Sequence, residues 1–156
     1  MIIMADTYSQ IYVHLVFSVK GRQSLIHDAW KDRMYKYICG IATGKGQKVY
    51  AIGGVADHIH ILVSVKPNIS ISELVRDLKS SSSKWLNEQG FLKDKFEWQN
   101  GFGAFTCGHS QLTTVIAYVN NQEMHHKKET FKEEYIKLLH DFEIEYKQQF
   151  LFDWIL

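Results

Sequence analysis

Apolar residues recur along this chain with two periods, and the switches between them mark out its elements. Gln10 to Lys20 (Gln-Ile-Tyr-Val-His-Leu-Val-Phe-Ser-Val-Lys) is β-branched and aromatic without glycine or proline, which predicts a first strand. From His27 to Thr43 the positions Trp30, Met34, Tyr37, Ile38 and Ile41 take a helical spacing, and Gly44-Lys45-Gly46 stops it. Val49 to Val55 reads as a second strand ending in Gly53-Gly54, and His58 to Val65 as a third. So short a connection between them implies an antiparallel hairpin. Pro67-Asn68 breaks the chain before a helix that Ser70 can cap. That helix carries Ile71, Leu74, Val75, Leu78, Trp85 and Leu86 on one side and ends near Gly90. Trp98 to Cys107, with Gly101 and Gly103 in an aromatic stretch, reads as a fourth strand with a kink or close backbone approach. Ser110 can cap a helix running to about His125, and Glu129 to Tyr146 forms a charged amphipathic one.

The order β-α-β-β-α-β followed by helices is the split βαβ plan. It predicts an α+β, ferredoxin-like antiparallel sheet with helices on one face and extra C-terminal helices, in a single domain over residues 1–156. The tail Phe150-Leu-Phe-Asp-Trp-Ile-Leu is strongly apolar. It either meets a second subunit or folds back onto its own sheet.

Composition narrows the class without choosing a function. Hydrophobic residues make up 46% and charged residues 22%, ordinary globular usage. No stretch approaches the roughly 20 apolar residues that cross a bilayer. Met1 to Ser9 lacks the basic flank and small-residue cleavage site of a signal peptide. Cys39 and Cys107 form no metal or redox motif and read as reduced core thiols in a cytoplasmic protein. A formal net charge of +1 means that any contact with nucleic acid comes from a local basic face.

Candidate chemistry starts with Asp57-His58-Ile59-His60-Ile61-Leu62. On a strand, His58 and His60 project from one face, about 6.6 Å apart along the chain, close enough to converge on one cation. Asp57 either orients a ring or ends the hairpin turn. Two imidazoles do not fill a coordination sphere, so metal binding and ordinary packing both stay open at this point. Tyr118 and Gln122 are four residues apart, one turn of a helix. A glutamine carbonyl is a hard neutral ligand suited to Mg²⁺ or Mn²⁺. A phenol with a pKa of about 10 needs a reaction in which a metal supplies much of the activation. Phosphodiester transesterification is such a reaction. Taken alone, the pair reads more simply as a packed tyrosine and a glutamine that caps the helix or faces water.

Together these pieces resemble a known family. His58-Ile59-His60 is similar to the His-hydrophobic-His signature of HUH endonucleases, and Tyr118 with Gln122 to the Tyr-x-x-x-Gln helix of single-tyrosine HUH transposases of small insertion sequences. The resemblance runs along nearly the whole chain. It includes Tyr12-Val13-His14-Leu15-Val16-Phe17, Leu78-Lys79-Ser80-Ser81-Ser82-Ser83-Lys84-Trp85, Phe96 to Phe105, and Tyr118-Val119-x-Asn121-Gln122-x-x-His125-His126. The Gly-Phe-Gly-Ala-Phe wording and the His125-His126 pair look closer to the repeat-associated tyrosine transposases.

The resemblance implies a transposase that recognises imperfect hairpins and cuts single-stranded DNA with a divalent metal, Mg²⁺ or Mn²⁺. His58, His60 and Gln122 would hold the metal. Tyr118 would form a 5′-phosphotyrosine and release a 3′-OH that later attacks to seal a new junction. Family members are dimers with a sheet joined across the subunit boundary, and an active site can pair the histidines of one subunit with the tyrosine helix of the other.

For DNA, Arg76, Lys79 and Lys84 lie on the polar side of the second helix among Ser80 and Ser83, which can donate to phosphates. Lys45, Lys48 and Lys66 are loop or strand-edge candidates. His125 and His126 read first as residues favoured by a helix C-terminus, then as DNA contacts or metal ligands. His14 and His109 read as structural. Three rivals stand beside the transposase: a captured, non-mobile hairpin-binding relative, a zinc hydrolase with no role for Tyr118, and a metal-free dimeric module.

Overall fold

The computed structural model describes residues 7–156. Most of the segment considered as a signal peptide therefore lies outside the described residues. Strand β1 (Tyr12–Ser18) is followed by α1 (Lys31–Gly44), β2 (Lys48–Val55), β3 (His58–Ser64), α2 (Ile71–Gln89) and β4 (Gly103–Cys107). Then come α3 (Leu112–Asn120), the short α4 (Gln122–His125) and α5 (Phe131–Asp141). The sheet order is β2-β3-β1-β4, and all three pairings are antiparallel. Among the described residues no helix is long and apolar enough to cross a membrane.

The alternation of side chains along β1 and β3 sorts the molecule into layers. Leu15, Phe17, Ile59, Ile61 and Val63 share a core with Met34 and Ile38 of α1 and with Leu74, Val75 and Leu78 of α2. The interleaved His58 and His60 point to the other face, where they meet α3, the segment after α4, and α5. The helices expected on one face are α1 and α2, and α3 to α5 cover the opposite one.

Local signals explain most boundaries. Ser70 accepts a hydrogen bond from the Glu73 backbone N–H and caps α2. Thr130 and Glu133 form a reciprocal capping box that starts α5. The predicted fourth strand shortens to Gly103–Cys107, with Trp98 joined to the sheet by an isolated bridge to Val19. The single helix expected from Ser110 to His125 is corrected. Ser110 lies in a 3₁₀ turn, Gln111 precedes α3 without a side-chain cap, and the helix breaks at Asn121.

Two glycines set how closely the second layer approaches. A Cβ on Gly53 would lie 2.4 Å from the Val119 carbonyl oxygen, so α3 rests directly on β2 there. A Cβ on Gly103 would meet the Tyr135 ring at 2.9 Å, which lets α5 down onto β4 and β1. Of the two readings of the tail, folding back describes Phe152, which is buried against Phe131 and Tyr135. Gln99 clamps it in both directions: its Nε2 donates to the Asp153 carbonyl and its Oε1 accepts from the Asp153 N–H. Phe150 and Leu156 stay exposed.

Candidate metal and nucleophile site

The hairpin between β2 and β3 turns through Ala56-Asp57, and this places Asp57 beside the first histidine. His58 Nδ1 and Asp57 Oδ1 are 2.7 Å apart, and both groups are buried. Asp57 therefore does both things foreseen for it, ending the turn and fixing a ring. His60 Nδ1 and His14 Nε2 share a hydrogen bond of 2.7 Å across the β1–β3 pair. His14 is structural in that it props a ring of the site, and His109 in that its Nδ1 bonds the Tyr12 hydroxyl at 3.0 Å.

Above these histidines α5 contributes Glu134, which is 2% exposed. Its Oε1 lies 3.2 Å from His58 Nε2, 3.0 Å from His60 Nε2 and 3.1 Å from His126 Nε2. Tyr118 of α3 donates its hydroxyl to the other carboxylate oxygen, Oε2. Its ring stands edge-on to His60 at 5.7 Å and to His14 at 6.0 Å. Gln122 is buried, its Oε1 3.0 Å from His126 Nε2 and its Nε2 donating to the Tyr118 carbonyl. The structure thus brings His58, His60, Tyr118 and Gln122 of a single chain into one pocket.

Glu134 is the member the sequence did not single out. Phe131, Glu134, Tyr135 and Leu138 recur at helical spacing, and a carboxylate inside that apolar stripe was the available signal. His126 caps the end of α4, and its ring turns into the site. Its ring packs edge-on against His58 at 4.6 Å, and its Nδ1 donates to the Glu129 carbonyl.

The charges follow from burial and pairing. Burial would depress the His58 pKa, but Asp57 and Glu134 outweigh it and raise it. Burial lowers His60 to about 4 and, helped by His60, lowers His14 to about 3, which leaves these two rings neutral. Burial opposes ionisation of Glu134, yet hydrogen bonds from His126, His58 and His60 hold its carboxyl well below the carboxylate range. Burial and the Glu134 carboxylate both push the Tyr118 phenol up. In this arrangement the tyrosine is a proton donor to the carboxylate, not a ready anion.

The donor set fits a divalent metal. The Nδ1 atoms of His58 and His126 face acceptors, which turns each Nε2 toward Glu134 Oε1 and, for His126, Gln122 Oε1. A divalent cation would take the place of the imidazole protons between these nitrogens and oxygens, and the buried carboxylate would then pair with the metal's charge. Metal bonds of about 2.1 Å separate neighbouring donors by about 3.0–3.4 Å, which the nitrogen-to-Oε1 distances match. One ligand atom each from His58, His60, His126 and Glu134 lies within 4.8 Å of the others.

The basic candidates sit elsewhere. Arg76, Lys79, Ser80, Ser83 and Lys84 belong to α2, across the sheet from the histidines. Arg76 pairs with Glu73 and Asp77, and Lys84 is exposed. Lys79 directs its ammonium to the carbonyls of Gln99 and Gly101 and lies over the Phe17 ring. The Ser80 and Ser83 hydroxyls donate to backbone carbonyls of Asp77 and Ser80.

Comparison with known proteins gives this pocket a family. The chain is 29% identical over 124 residues to the transposase for insertion sequence element IS200 of Salmonella typhimurium, covering 76% of this chain and 81% of that protein. It is 26% identical over 125 residues to the ISDra2 transposase TnpA of Deinococcus radiodurans, covering 77% and 87%. A solved Deinococcus radiodurans transposase superposes with a TM-score of 0.62 at 22% identity, over 78% of this chain and 98% of the other. A REP-associated tyrosine transposase bound to a REP hairpin superposes with a TM-score of 0.55 at 12% identity, over 76% and 70%, a likeness of fold. The sequence model of the family described as "Transposase IS200 like" matches residues 7–122, most of the chain, and the protein therefore belongs to the IS200-like transposase family.

Proposed function

We propose that the protein cleaves and rejoins single-stranded DNA at hairpin-bearing ends through a 5′-phosphotyrosine on Tyr118. The observation that carries this reading is the Tyr118 hydroxyl meeting the His58 and His60 pocket through Glu134. A tyrosine packed for stability alone has no need of a buried carboxylate shared with four imidazoles. The same contact speaks against a zinc hydrolase in which Tyr118 has no part.

His58, His60 and Gln122 would hold the divalent cation, Mg²⁺ or Mn²⁺, and it would supply positive charge to the phosphate oxygens. The protein's own groups do the rest. Asp57 and His14 fix the two rings, and α3 holds the phenol against them. The Tyr118 oxygen forms its bond to phosphorus as the bond to the 3′ oxygen breaks. The phenolic proton leaves through Glu134 and reaches the departing 3′-OH by way of solvent. Rejoining reverses these events with a 3′-OH as attacker.

Further parts of the proposal have lesser supports. The βαββαβ order with its β2-β3-β1-β4 sheet supports the ferredoxin-like plan. A second copy of the chain is the partner that the resemblance implies, and β4 offers it an edge strand. DNA is the nucleic-acid partner, in keeping with a relative in fold solved on a hairpin. Exposed Lys84 and Arg76, the latter once released from Glu73 and Asp77, are the α2 groups proposed to meet phosphates, with Ser80, Ser83 and Lys79 behind them. A cytoplasmic setting rests on Cys39 and Cys107 being free thiols.

Labelled single-stranded hairpins from the protein's own genomic flanks, incubated with Mg²⁺ or Mn²⁺, test the reading. A denaturation-resistant protein–DNA adduct that EDTA prevents is the expected result. Tight hairpin binding without any adduct overturns it in favour of a captured, non-mobile DNA binder.

A further inference from the structure

We propose that His126 and Glu134 are protein ligands of the same cation, so that its site is a three-imidazole, one-carboxylate centre built for a first-row transition dication rather than for Mg²⁺. This rests on the metal-assisted reading above and extends it beyond His58, His60 and Gln122.

Three observations on separate elements carry it. The Nε2 atoms of His58 and His60 from β3 and of His126 from the end of α4 all lie 3.0–3.2 Å from one atom, Glu134 Oε1 of α5. All three rings have Nδ1 engaged, by Asp57, His14 and the Glu129 carbonyl respectively, so each is held with Nε2 inward. Such outer partners fix ring direction at metal sites. Glu134 itself lies at an apolar position of α5, between Phe131 and Tyr135 on one side and the imidazoles on the other. A buried carboxylate there is costly unless something cationic faces it.

The donor chemistry then selects the ion. Mg²⁺ keeps several waters and favours oxygen ligands, whereas imidazole suits the later first-row dications. Three nitrogens and one carboxylate oxygen, with Gln122 Oε1 3.0 Å from His126 Nε2 as a further donor, make a nitrogen-rich site. Glu134 has a second task. Its Oε1 faces the His58, His60 and His126 imidazoles, and its Oε2 accepts the Tyr118 hydroxyl beside His125 Nε2. It is therefore a ligand and also a positioning residue for the nucleophile, and its two tasks can be separated by experiment.

Co²⁺ is the probe, because its visible absorption reports the number and kind of its ligands. Titrated into the metal-free full-length protein, one Co²⁺ per chain should bind with d–d bands, and 10 mM Mg²⁺ should not displace it. Glu134→Gln and His126→Ala should each weaken Co²⁺ binding at least tenfold and alter the bands, with far-UV circular dichroism of the metal-free variants unchanged. His126→Gln, which restores an oxygen donor, stands in if the alanine variant does not fold. Wild-type affinity and bands in both variants overturn the extended ligand set, as does displacement of Co²⁺ by equimolar Mg²⁺. If His58→Ala also leaves Co²⁺ binding untouched, the metal reading itself falls, so the two failures are distinguishable. At saturating metal, His126→Ala should regain adduct formation while Glu134→Gln stays slow. Full recovery of Glu134→Gln would leave it a ligand with no positioning role.

Discussion

At the residue scale the pocket is a set of side chains each held by a neighbour. Asp57 holds His58 and His14 holds His60. Loss of such a partner costs metal sites about 10–100-fold in affinity. Asp57→Asn should therefore weaken metal binding about tenfold or more, read by titration, while leaving Tyr118 in place. Lys79 behaves differently from its neighbours on α2. Its ammonium fastens the Gln99–Gly101 segment, so Lys79→Met should lower unfolding stability by about 1–3 kcal/mol in denaturant melts. Lys84→Met, at an exposed position, should leave stability nearly unchanged and act only on DNA affinity. Which side chains meet in the pocket was partly legible in the sequence. His58, His60, Tyr118 and Gln122 stand at strand and helix spacings that any reader can count. Glu134 was not, because it lies in a helix rich in exposed acids and is set apart only by the stripe it shares with Phe131 and Tyr135. For His126 the sequence left a helix end, a DNA contact and a metal ligand open, and only the packing of α4 shows the ring turned toward His58.

At the scale of elements, the position of α3 decides whether the nucleophile meets the histidines. Gly53 lets the α3 backbone sit on β2, and the Val119 carbonyl occupies the space a side chain would need. Gly53→Ala should push α3 outward, destabilising the fold by about 1–3 kcal/mol. A shift of about 1 Å at the tyrosine can slow adduct formation about 100-fold. Gly40→Ala is the matched control: that glycine is exposed within α1 with nothing near its Cβ position. It should gain up to about 1 kcal/mol and leave adduct formation unchanged. Gly53-Gly54 was visible in the sequence as the end of a strand, but what pressed against it was not, since close approach depends on a helix 60 residues later. The break at Asn121 was equally hidden. Tyr118 and Gln122 keep their one-turn relation because the Gln122 side chain bonds the Tyr118 carbonyl across it.

For the whole molecule, all groups of the pocket come from one chain, with Tyr118 bonded to a carboxylate that touches its own histidines. An active site assembled within one subunit predicts no rescue on mixing His58→Ala with Tyr118→Phe protein. Restored adduct formation in the mixture would instead show tyrosine helices exchanged between two copies. The split βαβ order was legible because strand and helix periods alternate cleanly, and the direction of the tail was not, since both of its readings bury apolar surface. Everything proposed for the pocket turns on Tyr118 becoming covalently joined to DNA. Peptide mapping by mass spectrometry of the adduct formed on a genomic hairpin strand tests this. A 5′-phosphate linkage on the peptide carrying Tyr118 is expected, with adduct formation at least about 1,000-fold slower in Tyr118→Phe. An adduct on another residue, or strand cleavage that proceeds with no protein attached, would contradict it.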